Sequence, residues 1–295
     1  MTPAAMAAAA DIGDDVAAGS RHLRIVHLFP DLLSVYGDAG NIQALVVRSR
    51  ARGIVVERAV VLADTPRLPS GDLYVIGGGQ DRDQVQVERS LQRIGDALTR
   101  EVGDGAAVLA VCGGYQSLGV EYRMLGERTI RGPGVLDVRT VTGSKRLVGP
   151  VVAHLEDPIF GPTRRTIVGF ENHAGRTTIG PESTALARVE IGHGNDDDGT
   201  EGVLERPGAR GLQGLRIGTY LHGPLLPRNP HLGDVLIAAG LSRTGQPTNL
   251  APLDDRDEWA AHDRQIERCR KRTWTDRLPR RVRRMVEPAR NLIGF

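Results

Sequence analysis

Cysteine is scarce in this sequence, which contains only Cys112 and Cys269. Two cysteines are too few for a disulfide framework or a cysteine-rich zinc site, so these two ways of stabilising a fold are excluded. Long apolar runs are also missing, and no stretch approaches the roughly 20 residues that a membrane-spanning helix needs. We therefore expect a cytoplasmic protein.

Net charge is equally small, at +2, and lysine occurs only at positions 145 and 271. This uniform preference for arginine indicates a genomic composition bias, so single arginines carry little information. Basic residues nevertheless concentrate between Arg268 and Arg290. Such a segment suits nucleic acid, an anionic membrane surface or an acidic partner, and it equally suits a solvated amphipathic helix.

Composition divides the chain into three parts. Residues 1–21 are rich in alanine but lack the basic start of a secretory signal, so they are predicted to be a disordered tail. Residues 22–240 alternate strand-like and helical patterns and are predicted to form one α/β domain. Residues 241–295 are predicted to be a linker and a basic helical extension.

The fold prediction rests on four apolar runs with helical patterns between them, at residues 23–29, 54–61, 72–80 and 106–112. Nearly continuous apolar runs are typical of strands that are covered on both faces. The alternation of strands and helices predicts an open, mostly parallel sheet flanked by helices. Beyond Tyr122 the runs become short and are punctuated by glycine and proline, which predicts antiparallel additions.

The stretch "AAVLAVCGGYQSLG", residues 106–119, carries the clearest chemical signal. Its strand-like part stops at Cys112, two glycines follow, and a helix is predicted to begin near Tyr115. A strand that ends in a nucleophile and turns at once into a helix is a nucleophile elbow at the carboxyl edge of a sheet. The helix start favours a thiolate there. A buried cysteine that only fills space is the alternative, but the coincidence of these three features favours the nucleophile.

A thiolate that attacks a carbonyl group needs amide donors for the resulting oxyanion. The amide of Gly113, directly after the nucleophile, is one predicted donor. The second is predicted at Gly79, because the loop 77–79 ends the strand expected to lie beside that of Cys112. A phosphate-binding loop is the alternative for these glycines, but the usual phosphate-binding spacings are absent.

The thiolate also needs a general base, and the sequence contains eight histidines. His222 closes the strand-like run "IGTYLHG" and so could lie at the same edge of the sheet. His173, in "GFENHAGRT", is its rival because it too follows a strand-like run and has polar neighbours. Spacing alone does not decide between the two.

Five segments taken in order resemble the cobyric-acid-synthase-like branch of the class I glutamine amidotransferases: "YGDAGN", "VIGGGQDRDQ", "VCGGYQSLG", "GFENHAGRT" and "YLHGPLLPRNP". Within that branch they are most similar to the glutaminase subunits of lipid II isoglutaminyl synthases. The resemblance covers about residues 22–240 and implies a flavodoxin-like glutamine amidotransferase domain. It implies an enzyme that hydrolyses L-glutamine to glutamate and ammonia.

Carried over to this sequence, the resemblance implies that Cys112 is the nucleophile and His222 the catalytic histidine. It implies that Arg146 binds the substrate, with Lys145 as the alternative one position away, and that Gln116 lies near the substrate. Many members of the broader superfamily carry a glutamate two residues after the histidine, whereas a proline stands there in this sequence. A Cys–His dyad is therefore expected.

The resemblance also implies a heterodimer with an ATP-dependent Mur-ligase-like subunit of the MurT type. That subunit would use the ammonia to amidate the D-glutamate of lipid II to D-isoglutamine in peptidoglycan synthesis. No cofactor, metal or nucleic acid is expected on this chain, whereas ATP and Mg²⁺ are expected on the ligase. The basic segment beyond Asp254 is expected to dock the ligase, to contact the inner membrane leaflet, or to be only a solvated helix.

Three alternatives remain open from the sequence. A subunit for corrinoid amidation belongs to the same branch, but an ATP-binding synthetase domain is missing from the sequence. A catalytically silent scaffold would stabilise a ligase, but the retention of both Cys112 and His222 disfavours it. A cysteine hydrolase of the DJ-1-like superfamily shares the elbow, but it does not account for "YLHGPLLPRNP".

Overall fold

The computed structural model describes residues 20–34, 37–79, 81–124, 126, 128–207 and 211–276. The helices and strands are, in chain order, β1 (His22–Leu28), α1 (Ala39–Arg50), β2 (Val55–Val61), β3 (Leu73–Ile76), α2 (Asp81–Gly103), β4 (Ala107–Val111), α3 (Gly113–Ser117), β5 (Glu121–Arg123), β6 (Thr129–Arg131), β7 (Val138–Leu155), β8 (Thr166–Ile179), β9 (Ala187–Ile191), β10 (Thr200–Glu201), β11 (Val203–Glu205), β12 (Arg216–Thr219), α4 (Pro230–Arg243) and α5 (Arg256–Asp276). Most of the predicted N-terminal tail, residues 1–19, and the basic segment from residue 277 onward lie outside the described residues.

The first sheet has the strand order β11-β12-β4-β3-β1-β2. Every neighbouring pair is parallel except β11 with β12. The central strands β3 and β4 are buried at every position, as their apolar sequences "LYVI" and "AVLAV" require in a sheet that is covered on both faces. Helices α1 and α4 pack together beside this sheet, and α4 contacts β1, β3 and β4. The predicted open, mostly parallel sheet with flanking helices is confirmed.

The second sheet has the order β10-β9-β7-β5-β6, with β8 paired to β7 along its length. All its pairs are antiparallel except β5 with β7, so the predicted antiparallel additions are confirmed as well. The register of the long β7–β8 hairpin shifts between Thr142 and Leu147. Lys145 and Arg146 therefore lie in an irregular stretch of β7 rather than in its regular ladder.

Helix α5 packs against β7, β8 and β9. Its Cys269 is 4 % exposed and forms a small buried cluster with Val152 and Val168. The buried His262 lies with its Nδ1 2.7 Å from the carbonyl oxygen of Arg228, and its Nε2 lies 2.8 Å from the hydroxyl of Thr166. The described part of the predicted extension thus shares a buried interface with the sheet. Among the described helices, none is both long enough and apolar enough to cross a membrane.

Candidate active site

The cysteine that ends β4 has an unusual backbone. Cys112 adopts φ 47° and ψ −103°, and its amide donates to the carbonyl oxygen of Thr219 at the end of neighbouring β12. A positive φ at a residue with a side chain costs roughly 1–3 kcal/mol, and such strain persists where the surrounding structure enforces it. Helix α3 begins at the next residue. The geometry is that of a strained strand-to-helix turn, as a nucleophile elbow requires.

The two glycines after Cys112 are required by a close approach of the loop that follows β3. A Cβ atom at Gly114 would lie 2.8 Å from the carbonyl oxygen of Gly77, and one at Gly113 would lie 3.1 Å from the amide nitrogen of Gly79. Real Cβ atoms essentially never lie within 3.0 Å of a backbone atom, and a contact of 3.1 Å is tighter than most that they make. The elbow and the loop 77–79 are therefore in direct contact, as the strand order predicts.

The amide nitrogen of Gly79 lies close to Gly113 at this contact. The amide of Gly78 is occupied because it donates to the carboxylate of Asp38 at 2.8 Å. Among the described residues, neither the Gly79 nor the Gly113 amide donates to another group. Preorganised amides are what a tetrahedral intermediate of acyl transfer needs, and the assignment of Gly79 and Gly113 as oxyanion donors stays a prediction.

His222 is brought to the same place by the second sheet. Its backbone exchanges two hydrogen bonds with Phe170 of β8, of 2.9 Å and 3.2 Å. A methyl group at Gly78 would lie 2.4 Å from the Cε1 atom of the His222 ring and 3.2 Å from the Cβ atom of Cys112. The imidazole and the cysteine thus flank the same glycine.

The His222 ring is only 2 % exposed. Burial lowers its pKa to about 4, and the electrostatic interactions of His222 with His173 and Arg146 act in the same direction. The imidazole is therefore neutral at physiological pH, because burial disfavours its charged form. A neutral imidazole can accept the thiol proton of a neighbouring cysteine.

This shift predicts a pH dependence of the folding stability. The unfolded chain binds a proton on His222 below pH 6.5, but the folded chain does so only near pH 4, so stability falls as the pH falls between these values. Between pH 7.5 and pH 5, wild type should lose about 2 kcal/mol more unfolding free energy than His222→Gln. Urea denaturation at the two pH values measures the difference. Equal losses in the two proteins would show that the ring is not buried in its neutral form.

The alternative general base, His173, packs against Tyr220 rather than against Gly78. The His173 ring stacks on that of Tyr220, with centroids 3.5 Å apart and planes 7° apart. Its Nδ1 lies 2.9 Å from the carbonyl oxygen of Gly175 and donates to it. The structure therefore brings His222 rather than His173 against Gly78 and the cysteine, while His173 supports the segment that leads to His222.

The predicted substrate-binding arginine reaches the site from β7. Arg146 donates from Nε to the side-chain oxygen of Asn172 at 3.0 Å and from a terminal nitrogen to the Asn172 carbonyl oxygen at 2.9 Å. Its charge is close enough to lower the pKa of His222. Lys145 and Arg146 are both exposed, and the carbonyl oxygen of Lys145 accepts a hydrogen bond from Arg176. These contacts favour Arg146 over Lys145 as the cation of the site.

Gln116 is buried within a polar network. Its side-chain oxygen accepts from Gln84 at 2.7 Å, and its amide nitrogen donates to the Tyr220 hydroxyl at 3.2 Å. That hydroxyl also lies 2.6 Å from the hydroxyl of Thr177. Because a side-chain amide has two donor hydrogens and two acceptor lone pairs, these two bonds use only half of the hydrogen-bonding capacity of Gln116.

Two residues of the site were not singled out from the sequence. Tyr220, fully buried between Gln116 and His173, stands inside the segment "YLHGPLLPRNP", but nothing in the residue pattern separates it from a core aromatic. Asp38 carried one local signal, an aspartate directly before a predicted helix, which indicates only a helix cap. The described residues contain no group of three or more histidine, cysteine or carboxylate side chains suited to hold a metal ion.

Comparison with known families gives one match over most of the chain. Residues 24–230 match the CobB/CobQ-like glutamine amidotransferase domain. This range contains every residue of the site described above.

Individual relatives are similar to this chain over more than half of its length. The GatD subunit of the glutamine-hydrolysing lipid II isoglutaminyl synthase of Staphylococcus aureus (strain N315) is 37% identical over 250 residues, which cover 84% of this chain and 96% of that protein. GatD of Streptococcus pneumoniae (strain ATCC BAA-255 / R6) is 32% identical over 237 residues, or 79% of this chain and 86% of that protein. The cobyric acid synthase of Limosilactobacillus reuteri (strain DSM 20016) is 30% identical over 161 residues, which are 53% of this chain but only 30% of that protein.

Proposed function

Because the chain belongs to the CobB/CobQ-like glutamine amidotransferase family, we propose that it is the glutaminase subunit of a lipid II isoglutaminyl synthase. It hydrolyses L-glutamine to L-glutamate and ammonia. The ammonia then serves a ligase subunit that amidates the D-glutamate of lipid II to D-isoglutamine during peptidoglycan synthesis.

The observation that carries the proposal is the extent of the match to the two GatD subunits. The aligned residues span 96% and 86% of those proteins, whereas they span 30% of the cobyric acid synthase. This difference favours lipid II over a corrinoid as the acceptor. A silent scaffold is disfavoured because the strained cysteine, the buried neutral histidine and the close contact between Gly79 and Gly113 are all present.

In the first half of the reaction, the Cys112 sulfur attacks the carbon of the glutamine side-chain amide. The neutral imidazole of His222 takes the thiol proton as the carbon–sulfur bond forms. The oxyanion that develops accepts hydrogen bonds from the amides of Gly79 and Gly113. The imidazolium of His222 then gives its proton to the leaving nitrogen, so ammonia departs and a γ-glutamyl thioester remains.

In the second half, His222 removes a proton from a water molecule that attacks the thioester. The same two amides hold the second oxyanion, and the sulfur leaves as a thiolate that recovers its proton from His222. Glutamate is released and the resting site is restored. His222 thus acts as general base and general acid in alternation, which a Cys–His dyad can perform because a thiol is easier to activate than a hydroxyl.

Arg146 is proposed to bind the α-carboxylate of glutamine. A guanidinium can hold a carboxylate with two parallel hydrogen bonds, and its position near His222 suits a substrate whose other end lies at Cys112. Gln116 is proposed to stand near the substrate through the Tyr220 hydroxyl, to which it donates. Neither role needs a cofactor in this chain.

The partner is proposed to be a Mur-ligase-like subunit of the MurT type, which binds ATP and Mg²⁺ and forms a heterodimer with this chain. Ammonia becomes protonated in bulk water and is then no nucleophile, so a sheltered route between the two sites is expected. The complex is proposed to act in the cytoplasm at the inner face of the membrane, where lipid II is reached by the ligase.

Transfer of isotope tests this function. The complex of this chain with its ligase receives glutamine labelled with ¹⁵N in the side-chain amide, together with ATP, lipid II and an excess of unlabelled ammonium. Most D-isoglutamine should carry ¹⁵N by mass spectrometry, because the ammonia does not mix with the solvent. The ligase alone, as the control, should incorporate only unlabelled nitrogen.

The acceptor is tested in the same assay. A corrinoid carboxylate offered in place of lipid II should remain unamidated. Label in the corrinoid but not in lipid II would contradict the proposed pathway and support the corrinoid alternative. No glutamate release in any combination would contradict the glutaminase activity itself.

A further inference from the structure

The segment "YGDAGN" has no role in the mechanism above, yet two of its side chains are buried beside the site. Asp38 and Asn41 are both 0 % exposed. Asp38 stands directly before α1, but its side chain makes no capping hydrogen bond to that helix. Its Oδ2 atom instead accepts from the amide of Gly78, 40 positions along the chain, at 2.8 Å. A buried carboxylate is costly, so this contact indicates a purpose other than helix formation.

This hydrogen bond fixes one peptide plane in the glycine loop. The N–H of Gly78 donates to Asp38, while the carbonyl oxygen of Gly77 on the same peptide accepts from the amide of Gly114 at 3.0 Å. A peptide unit is planar and trans, so two hydrogen bonds at its opposite ends set its orientation. The Gly79 amide belongs to the next peptide, which is joined to this fixed peptide through the two backbone dihedral angles of Gly78. Asp38 thus acts on the predicted oxyanion donor through Gly78.

Asn41, one turn into the same helix, holds the segment that carries His222. Its Oδ1 accepts from the amide of Leu226 at 2.9 Å, and its Nδ2 donates to the Oδ1 of Asp38 at 3.4 Å. Leu226 lies four residues after His222 in the chain. The same helix start also touches Pro224, because a Cβ atom at Gly40 would lie 2.7 Å from the Cγ of that proline.

We propose that Asp38 and Asn41 are positioning residues that set the distance between the oxyanion donors and the catalytic histidine. The pair connects two loops that belong to different parts of the chain. Catalysis requires the relative position of these loops to be held within a fraction of an ångström. The inference rests on the proposed glutaminase function. It adds to that function the residues that preorganise the site without touching substrate.

Swapping the residue types at positions 38 and 41 tests this positioning role. Asp38→Asn leaves only one acceptor for two donors, and Asn41→Asp places two carboxylates side by side. The double variant Asp38→Asn/Asn41→Asp restores the pattern, because the new side-chain amide accepts from Gly78 and donates to the new carboxylate, which in turn accepts from Leu226. Each single variant should lower kcat for glutamine hydrolysis about 100-fold while KM changes less than about threefold. The double variant should recover most of kcat.

The matched control is Asp72→Asn. Asp72 also accepts a backbone amide, that of Arg24 at 2.8 Å, but it lies at the opposite end of the sheet. This variant should lose stability without losing kcat. Full kcat in Asp38→Asn would overturn the inference, and so would a stable double variant whose kcat stays as low as that of the single variants.

Hydrogen exchange measured by mass spectrometry gives a readout that needs no substrate. Backbone amides in residues 77–79 and 222–226 should exchange faster in both single variants and return to the wild-type rate in the double variant. Unchanged exchange in the single variants would contradict the positioning role even if the protein proved not to hydrolyse glutamine. Absence of glutamate release from wild type would contradict the proposed function alone.

Discussion

Replacement of Cys112 by serine is expected to lower glutamate release by at least about 10³-fold. A hydroxyl is a much weaker acid than a thiol, so it needs a strong base to become a nucleophile. His222 is a poor base for that purpose, because burial lowers its pKa to about 4. The loss should appear in kcat, measured as glutamate formed by the complex with its ligase, while substrate binding is retained.

The matched control for this substitution is Cys269→Ser. Cys269 is the other buried cysteine, packed with Val152 and Val168 beneath α5 and far in the chain from the site motifs. The variant should unfold more readily, because it buries a hydroxyl in an apolar cluster, but its glutamate release should stay unchanged. Glutamate release by Cys112→Ser at a rate close to wild type would rule out Cys112 as the nucleophile.

Much of the fold could be predicted from residue patterns because burial dictates them. Strands β3 and β4 are covered on both faces, so their sequences are apolar at every position and are visible as runs. The elbow at Cys112 was visible for a related reason. The close approach of Gly114 to the carbonyl oxygen of Gly77 leaves no room for a side chain. The geometry of the turn therefore dictates glycine after the cysteine, and the sequence shows it.

The choice between His173 and His222 could not be made from the residues alone. His173 and His222 both follow strand-like runs, and only the pairing of Phe170 with His222 decides which ring meets the cysteine. That bridge joins β8 to the end of the first sheet across a large sequence separation. Local periodicity describes each strand but not such a contact.

Asp38 shows a second limit of the sequence. An aspartate before a helix is the usual sign of a helix cap. Asp38 directly precedes α1, but its backbone angles are helical and its side chain accepts from the amide of Gly78 instead. The residue pattern does not show that the aspartate side chain bonds to a distant amide rather than to the amides of its own helix. Residues that act on a site only through other residues can therefore be identified from the three-dimensional structure but not from the sequence.

The second large effect is expected at Gly78, which lies between the side chains of Cys112 and His222. In Gly78→Ala the added methyl group would lie 2.4 Å from Cε1 and 3.2 Å from Nδ1 of His222, so the ring has to move. His222 is buried, and its backbone is hydrogen-bonded to Phe170, so the ring has little room to move. A displacement of about 1 Å costs on the order of 100-fold in kcat, with a smaller effect on KM.

Gly103→Ala is the control for Gly78→Ala, because nothing lies within 4 Å of a Cβ atom at Gly103, the last residue of α2. This variant should keep full kcat and gain a few tenths of a kcal/mol in stability, since alanine favours a helix over glycine. Steady-state kinetics of both variants in the ligase complex, with urea denaturation of each, separates misplacement of the histidine from general loss of folding. A Gly78→Ala enzyme with wild-type kcat would mean that Cys112 and His222 do not react across this glycine. The dyad would then have to be sought in another arrangement of the same edge of the sheet.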